Sequence, residues 1–171
     1  METVDNKLLD GVYFCVQHPK NEESLEKLKD LLKKKNFDIN CRHNAGRTLL
    51  HVACHFSNLE VVTLLVRYGA DIDTADDYGL TPLNFASDSN STEVVKYLLN
   101  RGVNISSAKN KTGWRAIDYA HTIIIRDLIL VYIHNKLQAQ YKQFTQERIV
   151  KYCSREPLCS QLNILLILQR V

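Results

Sequence analysis

Residues 46–73 read GRTLLHVACHFSNLEVVTLLVRYGADID, and residues 79–106 repeat them as GLTPLNFASDSNSTEVVKYLLNRGVNIS. Gly46 and Gly79, Thr48 and Thr81, Leu50 and Leu83, His51 and Asn84, and Ala53 and Ala86 are each 33 residues apart. Val61-Val62 over Val94-Val95, Leu65 over Leu98, and Gly69 over Gly102 keep the same offset. Within each unit, Thr48 or Thr81 suits the start of a helix, because its hydroxyl can take an orphan backbone N–H. Pro82 then falls at the first helical position, where its missing N–H does no harm. This spacing predicts a short helix over 48–55 and 81–88, and a second over 58–67 and 92–100. The apolar residues of the second helix recur at helical spacing and do not alternate as in a strand. Gly69 and Gly102 follow the helix ends, where a left-handed backbone is wanted.

The period runs outward in both directions. LEKLKDLLKKKNFDIN (25–40) places Leu31-Leu32 under Leu64-Leu65, and Asp38-Ile39-Asn40 under Asp71-Ile72-Asp73. KTGWRAIDYAH (111–121) repeats the opening phrase, with Gly113 34 residues after Gly79. Isolated helices shorter than about 12–15 residues are marginal, so each unit must bury its apolar face on its neighbour. That is the logic of a solenoid.

These phrases resemble the ankyrin repeat, with its G-x-TPLH-x-A…V-x-x-LL-x-x-GADIN pattern. The resemblance implies an all-α fold, an ankyrin-repeat α-solenoid of helix-turn-helix units with short hairpin arms. Residues 1–43 read as a degenerate N-terminal capping repeat, with helices near 5–17 and 22–35. Residues 44–136 read as the repeats (about 44–75, 77–108 and 111–136), and residues 137–171 as a helical C-terminal extension. Three departures stand out. Leu49 takes the place of the motif proline, and Asn84 and Asp118 take the place of the motif histidine. In the family that histidine bonds between neighbouring turns, so weaker interfaces are expected at Asn84 and Asp118.

Composition narrows the classes further. The chain has 171 residues, 45% of them hydrophobic, which suits one soluble domain. No secretory signal opens it, and the longest apolar run, Ile164 to Leu168, is far short of the roughly 20 residues of a membrane helix. The five cysteines are odd in number and irregularly spaced, so they read as reduced thiols in a cytoplasmic or other intracellular setting. Net charge is +3, and the excess lies in residues 109–171, with ten Lys/Arg against four Asp/Glu. Those charges form no consecutive basic run, which argues for a solvated surface and against nucleic acid. The Ile, Lys and Asn content points to an AT-rich genome, and one setting for such a protein is a host-directed effector of an intracellular bacterium, secreted without a cleavable signal.

The candidate chemistry is sparse. Cys41, His43, His51, Cys54 and His55 are five zinc-ligand types within 15 residues, which raises a zinc-binding alternative. Repeat positions account for the same residues, and the spacing matches no paired C-x2-C site. There is no G-x-S-x-G elbow and no phosphate-cradling glycine loop. Asp76-Asp77 reads as an acid pair in a solvated hairpin tip. No cofactor and no small-molecule substrate is expected.

Residues that the repeat framework does not need are more informative. On the hairpin tips these are Arg47, Asp77, Tyr78, Leu80, Lys111 and Trp114. On and beside the helices they are His55, Phe56, Tyr68, Asp88 and Arg101. In the family the matching positions line a concave groove that binds protein partners, so the resemblance implies non-catalytic protein–protein recognition by a monomer. Aromatics and arginines dominate such binding. Trp114 reads either as a groove anchor or as a side chain buried against the C-terminal helix.

The C-terminal segment leaves the ankyrin pattern. IIIRDLILVYIHNKLQAQYKQF (123–144) reads as a long helix whose first half is buried on the last repeat. TQERIVKYC reads as a fresh helix from Thr145, Pro157 as a break, and LCSQLNILLILQRV as an apolar stretch needing cover. That stretch either folds back on the tail helices or docks a partner or a second copy. Pro157-Leu158 with Leu162 and Leu166 faintly resembles the opening of a SOCS box, which raises a second alternative: a ubiquitin-ligase adaptor acting through the tail.

Overall fold

A computed structural model describes residues 13, 16, 22–34, 37–105 and 115–153. The described elements are helical: α1 (Glu22–Leu32), α2 (Leu49–His55), α3 (Leu59–Arg67), α4 (Pro82–Asp88), α5 (Thr92–Asn100) and α6 (Ile123–Cys153). The chain divides into two compact units, Met1–Ile129 and Leu130–Val171.

In the first unit, α2 packs most extensively on α4, α2 on α3 and α4 on α5, with a lighter contact between α3 and α5. The short first helices therefore form one layer and the second helices another. Leu49, Leu50 and Ala53 of α2, and Leu83 and Ala86 of α4, are buried. So are Val61, Val62 and Leu65 of α3, and Val94, Val95, Leu98 and Leu99 of α5. Small residues at Ala53 and Ala86 let the first helices approach closely. Cys54 and Ser87, one period apart, are buried beside them.

Both first helices start as the pattern predicts, each with a capping box at its threonine, and α4 carries proline at its first position. The hairpin arms contain no strand among the described residues. Each is a single reverse turn. His43 N–H donates to Arg47 O (2.9 Å) in one, and Asp76 N–H to Leu80 O (2.8 Å) in the next. The two turns are joined by Asp77 N–H donating to Ala45 O (3.0 Å).

Two expectations change. The third phrase does not build a first helix like α2 or α4, because residues 116–119 form turns, although Ala116 and Ala120 keep their buried places. No helix starts at Thr145 either. The α6 helix runs through it, and Thr145 Oγ1 donates to Tyr141 O (2.6 Å), one turn back. A mid-helix threonine can satisfy its hydroxyl this way without ending the helix. The stretch after Pro157, including Leu158, Leu162 and Leu166, lies outside the described residues, as does the helix expected near 5–17 except for Tyr13 and Val16.

Candidate functional site

Successive units are stitched by hydrogen bonds that span about one period. Arg42 Nη2 donates to Ala75 O (2.8 Å), Asp71 N–H to Asn40 Oδ1 (2.9 Å), and Asn104 N–H to Asp73 Oδ1 (2.8 Å). Ser89 Oγ donates to His55 O (2.7 Å), and Tyr13 Oη to Arg47 O (2.7 Å).

His51 is the central member of this set. Its Nδ1 accepts from Thr48 N–H (3.0 Å) and lies 2.9 Å from Thr48 Oγ1. Its Nε2 lies 3.0 Å from Leu80 O in the next unit. A carbonyl only accepts, so Nε2 carries the proton and the ring is the neutral ε tautomer. Burial pushes the His51 pKa down, with the Leu80 carbonyl opposing that shift.

Asn84 does half of this work. Its Oδ1 accepts from Thr81 N–H (3.0 Å) and Thr81 Oγ1 (2.7 Å), while its buried Nδ2 has no hydrogen-bond partner among the described residues. Asp118 likewise serves its own unit, accepting from Arg115 N–H (2.8 Å).

Asp76 departs from expectation. It is buried and not solvated; only Asp77 of the pair is exposed. Asp76 Oδ1 accepts from Tyr78 N–H (2.9 Å) and Leu80 N–H (2.8 Å), which fixes the turn. Its Oδ2 faces Arg47 Nε at 3.6 Å, and neither atom has a hydrogen-bond partner, so the two meet as ions. An acid in a tight turn reads as exposed from sequence. Two inward-pointing amides and the Arg47 cation make its burial tolerable.

Around this scaffold runs a row of cationic and aromatic side chains. The Arg47 guanidinium sits 4.9 Å from the centre of the Phe85 ring. Phe85 meets His51 edge-on at 5.4 Å and His55 at 6.1 Å, and His55 meets Phe56 edge-on at 5.1 Å. The row follows α2 and α4 from the hairpin turn to the turn between helices. Phe56 is 46% exposed, and Tyr78, at the hairpin tip, 58%. Asp77 is exposed beside Arg42, with 3.4 Å between Oδ1 and Nη2.

Of the nominated residues, the structure brings Arg47, His55 and Phe56 into one row, with Asp77 and Tyr78 on the hairpin turn that adjoins Arg47. Leu80 is half-buried and contributes its backbone. Asp88, at the end of α4, pairs with His121 (3.2 Å). Tyr68 and Arg101 end the second helices α3 and α5. On α1, Lys29 donates to Glu26 Oε1 (2.7 Å), a bond that raises the pKa of its ammonium. Arg101 donates to Tyr97 Oη (3.1 Å) and stacks on that ring. Lys111 and Trp114 lie outside the described residues. Phe85 went unnominated. The signal available for it was an aromatic at the position that holds Val52 in the preceding unit.

The five zinc-ligand types are scattered by this geometry. His51 has both nitrogens engaged, Cys54 is buried with its thiol pKa pushed up by burial, and His43 stacks on Tyr13 at 4.6 Å. Among the described residues no group of three His, Cys, Asp or Glu is placed to hold a metal ion. No described helix is long and apolar enough to cross a membrane.

A family model described as ankyrin repeats, in three copies, matches residues 13–109. That range begins inside the segment expected to cap the stack and stops short of the third phrase. Over 47 residues the chain is 40% identical to acyl-CoA-binding domain-containing protein 6 of Bos taurus. The alignment takes in 28% of this chain and 17% of that protein.

Proposed function

The chain belongs to the ankyrin-repeat family, and we propose that it is a non-catalytic recognition module that grips a protein partner with its hairpin turns and first helices, α2 and α4. The observation that supports this is the row from Arg47 through Phe85 and His55 to Phe56, with exposed Tyr78 and Asp77 on the adjoining turn. The row stands on backbone held from below by His51 and Asp76. Side chains already held in place lose little freedom on binding, which lowers the entropic cost of association. Phe56 and Tyr78 offer apolar area, while Asp77 and Arg42 form a polar edge. The most chemically active groups beneath the row are committed to structure: both His51 nitrogens are bonded, and the Cys54 thiol is buried in its neutral form. The free thiols of Cys41 and Cys54 favour an intracellular setting. The 47-residue similarity is too small a share of its relative to bring acyl-CoA binding to this chain.

The test is affinity capture from cell lysate with two variant pairs, each confirmed as folded by circular dichroism. Phe56→Ala with Tyr78→Ala alters the proposed face. Tyr68→Ala with Arg101→Ala alters the second-helix layer. Recovery of a specific partner falls about tenfold or more with the first pair and stays near wild type with the second. Loss with the second pair alone, or no loss with the first, overturns the proposal.

A further inference from the structure

Arg47 differs from the other arginines of the repeats in what its head leaves open. Arg42 uses Nη2 on Ala75 O (2.8 Å) and on Asp77, and Arg101 uses Nε and Nη2 on Tyr97 Oη. The head of Arg47 is held without either Nη atom. Its Nε side faces the buried carboxylate of Asp76 at 3.6 Å, and its guanidinium carbon lies over the Phe85 ring, 4.9 Å from the centre. A guanidinium carries four of its five N–H donors on the two Nη atoms, in the plane of the group. An ion pair at Nε and a ring against the face leave those donors unused. Among the described residues no hydrogen bond reaches Nη1 or Nη2 of Arg47. Its Nε is shut from solvent, while the side chain as a whole is 43% exposed.

We propose that the Nη edge of Arg47 is the seat for an aspartate or glutamate carboxylate of the protein partner. This rests on the reading of the first-helix layer and hairpin turns as the recognition face, and names the chemistry that the face takes. An ionised carboxylate has two oxygens in one plane and meets an arginine edge through two parallel bonds. Asp76 and Phe85 have already fixed the arginine head, so little freedom is left to lose when the carboxylate arrives.

Charge selects a carboxylate over a phosphate. Asp76 lies against the Nε side of the guanidinium, and Asp77 follows on the same turn, where Arg42 offsets it. A phosphoryl group brings roughly −1.5 to −2 charges toward these acids, and a carboxylate brings a single charge. The repulsion is therefore smaller for the carboxylate, while the bidentate bond to the Nη edge is available to either.

The test selects random peptides displayed on phage against the immobilised full chain. An enriched peptide is then synthesised and titrated by calorimetry. The expected result is an aspartate or glutamate at one position of the enriched peptides. Exchanging that acid for its amide weakens binding about tenfold or more. Arg47→Gln, confirmed as folded by circular dichroism, weakens binding by a similar factor, and the two losses do not add when combined. Enriched peptides with no acidic position, an amide exchange that leaves affinity unchanged, or additive losses overturn the proposal. So do tighter binding when phosphoserine replaces the acid, and a selection that enriches no peptide. The amide exchange leaves the protein untouched, so it tests the seat even where Arg47→Gln misfolds. The Phe56→Ala with Tyr78→Ala pair separates the seat from the wider face. A peptide that needs Arg47 and its own acid but ignores that pair upholds the seat and overturns the face. A peptide that needs the pair and no acid upholds the face and overturns the seat.

Discussion

The starts of α2 and α4 are built from one phrase, yet they are held differently. At the first, His51 ties its own helix start and also reaches Leu80 across the seam. At the second, Asn84 ties its own helix start and leaves a buried amide nitrogen unbonded. Asparagine and histidine both place an acceptor where the threonine N–H needs one. Only the imidazole ring is long enough to present a second polar atom to the next unit. The capping role and the bridging role of this position are therefore separable: His51 performs both and Asn84 the first.

The sharpest way to break the comparison is His51→Ala. It removes both roles and strands the buried Thr48 N–H and the half-buried Leu80 O, so urea unfolding is expected to show a loss of about 3 kcal/mol. Asn84→Ala removes one role only and is expected to cost less than half as much. Equal losses would contradict the separation. His51→Asn keeps the cap on Thr48 and drops the bond to Leu80 O, at about 1 kcal/mol.

Next in size is Asp76→Ala, at the same seam as His51. Tyr78 N–H and Leu80 N–H lose their acceptor and Arg47 loses its counter-ion, at an expected cost of about 2 kcal/mol in the same measurement.

A smaller effect comes from pH. The His51 pKa is lowered in the fold, so the unfolded chain binds the proton more readily. The stability of the neutral ring is then fully present above the unfolded value of about 6.5 and is lost as pH falls below it toward the folded value. The urea midpoint of wild type should decline from pH 7 into the acid range more steeply than that of His51→Asn, because no imidazole is left at that site to titrate.

The smallest effect is common to both units. Ser57 and Asn90, one period apart, have φ of +56°, where glycine carries no strain. Ser57→Gly is expected to gain about 0.5 kcal/mol, with a similar but smaller gain for Asn90→Gly, since asparagine already tolerates this region.

Much of this could be read from the sequence, because periodicity carries framework positions. Thr48, Pro82, Val61, Val94 and the paired leucines hold their places since each must face the same neighbour in every unit. What escaped was whatever depends on the residues across a seam. Asp76 looks solvated until two turn amides and Arg47 are seen closing on it. Arg47 looks like a free anchor until Phe85 and Asp76 are seen holding it. Thr145 looks like a helix start because its hydroxyl suits one, and only the carbonyl of Tyr141 shows that it has another partner. The candidate face was legible at Phe56 and Tyr78, which project from the framework, and hidden at Phe85, which supports the row from within.

The stitching between units also sets how the chain finds its fold. The bonds from Tyr13, Asn40, Arg42, His51, His55 and Asp73 each link residues between 29 and 34 positions apart. Each seam therefore closes one loop of nearly constant length, at an entropic cost of about 3 kcal/mol before any contact repays it. Assembly can begin at any seam and spread to its neighbours, with a low contact order and a correspondingly fast rate.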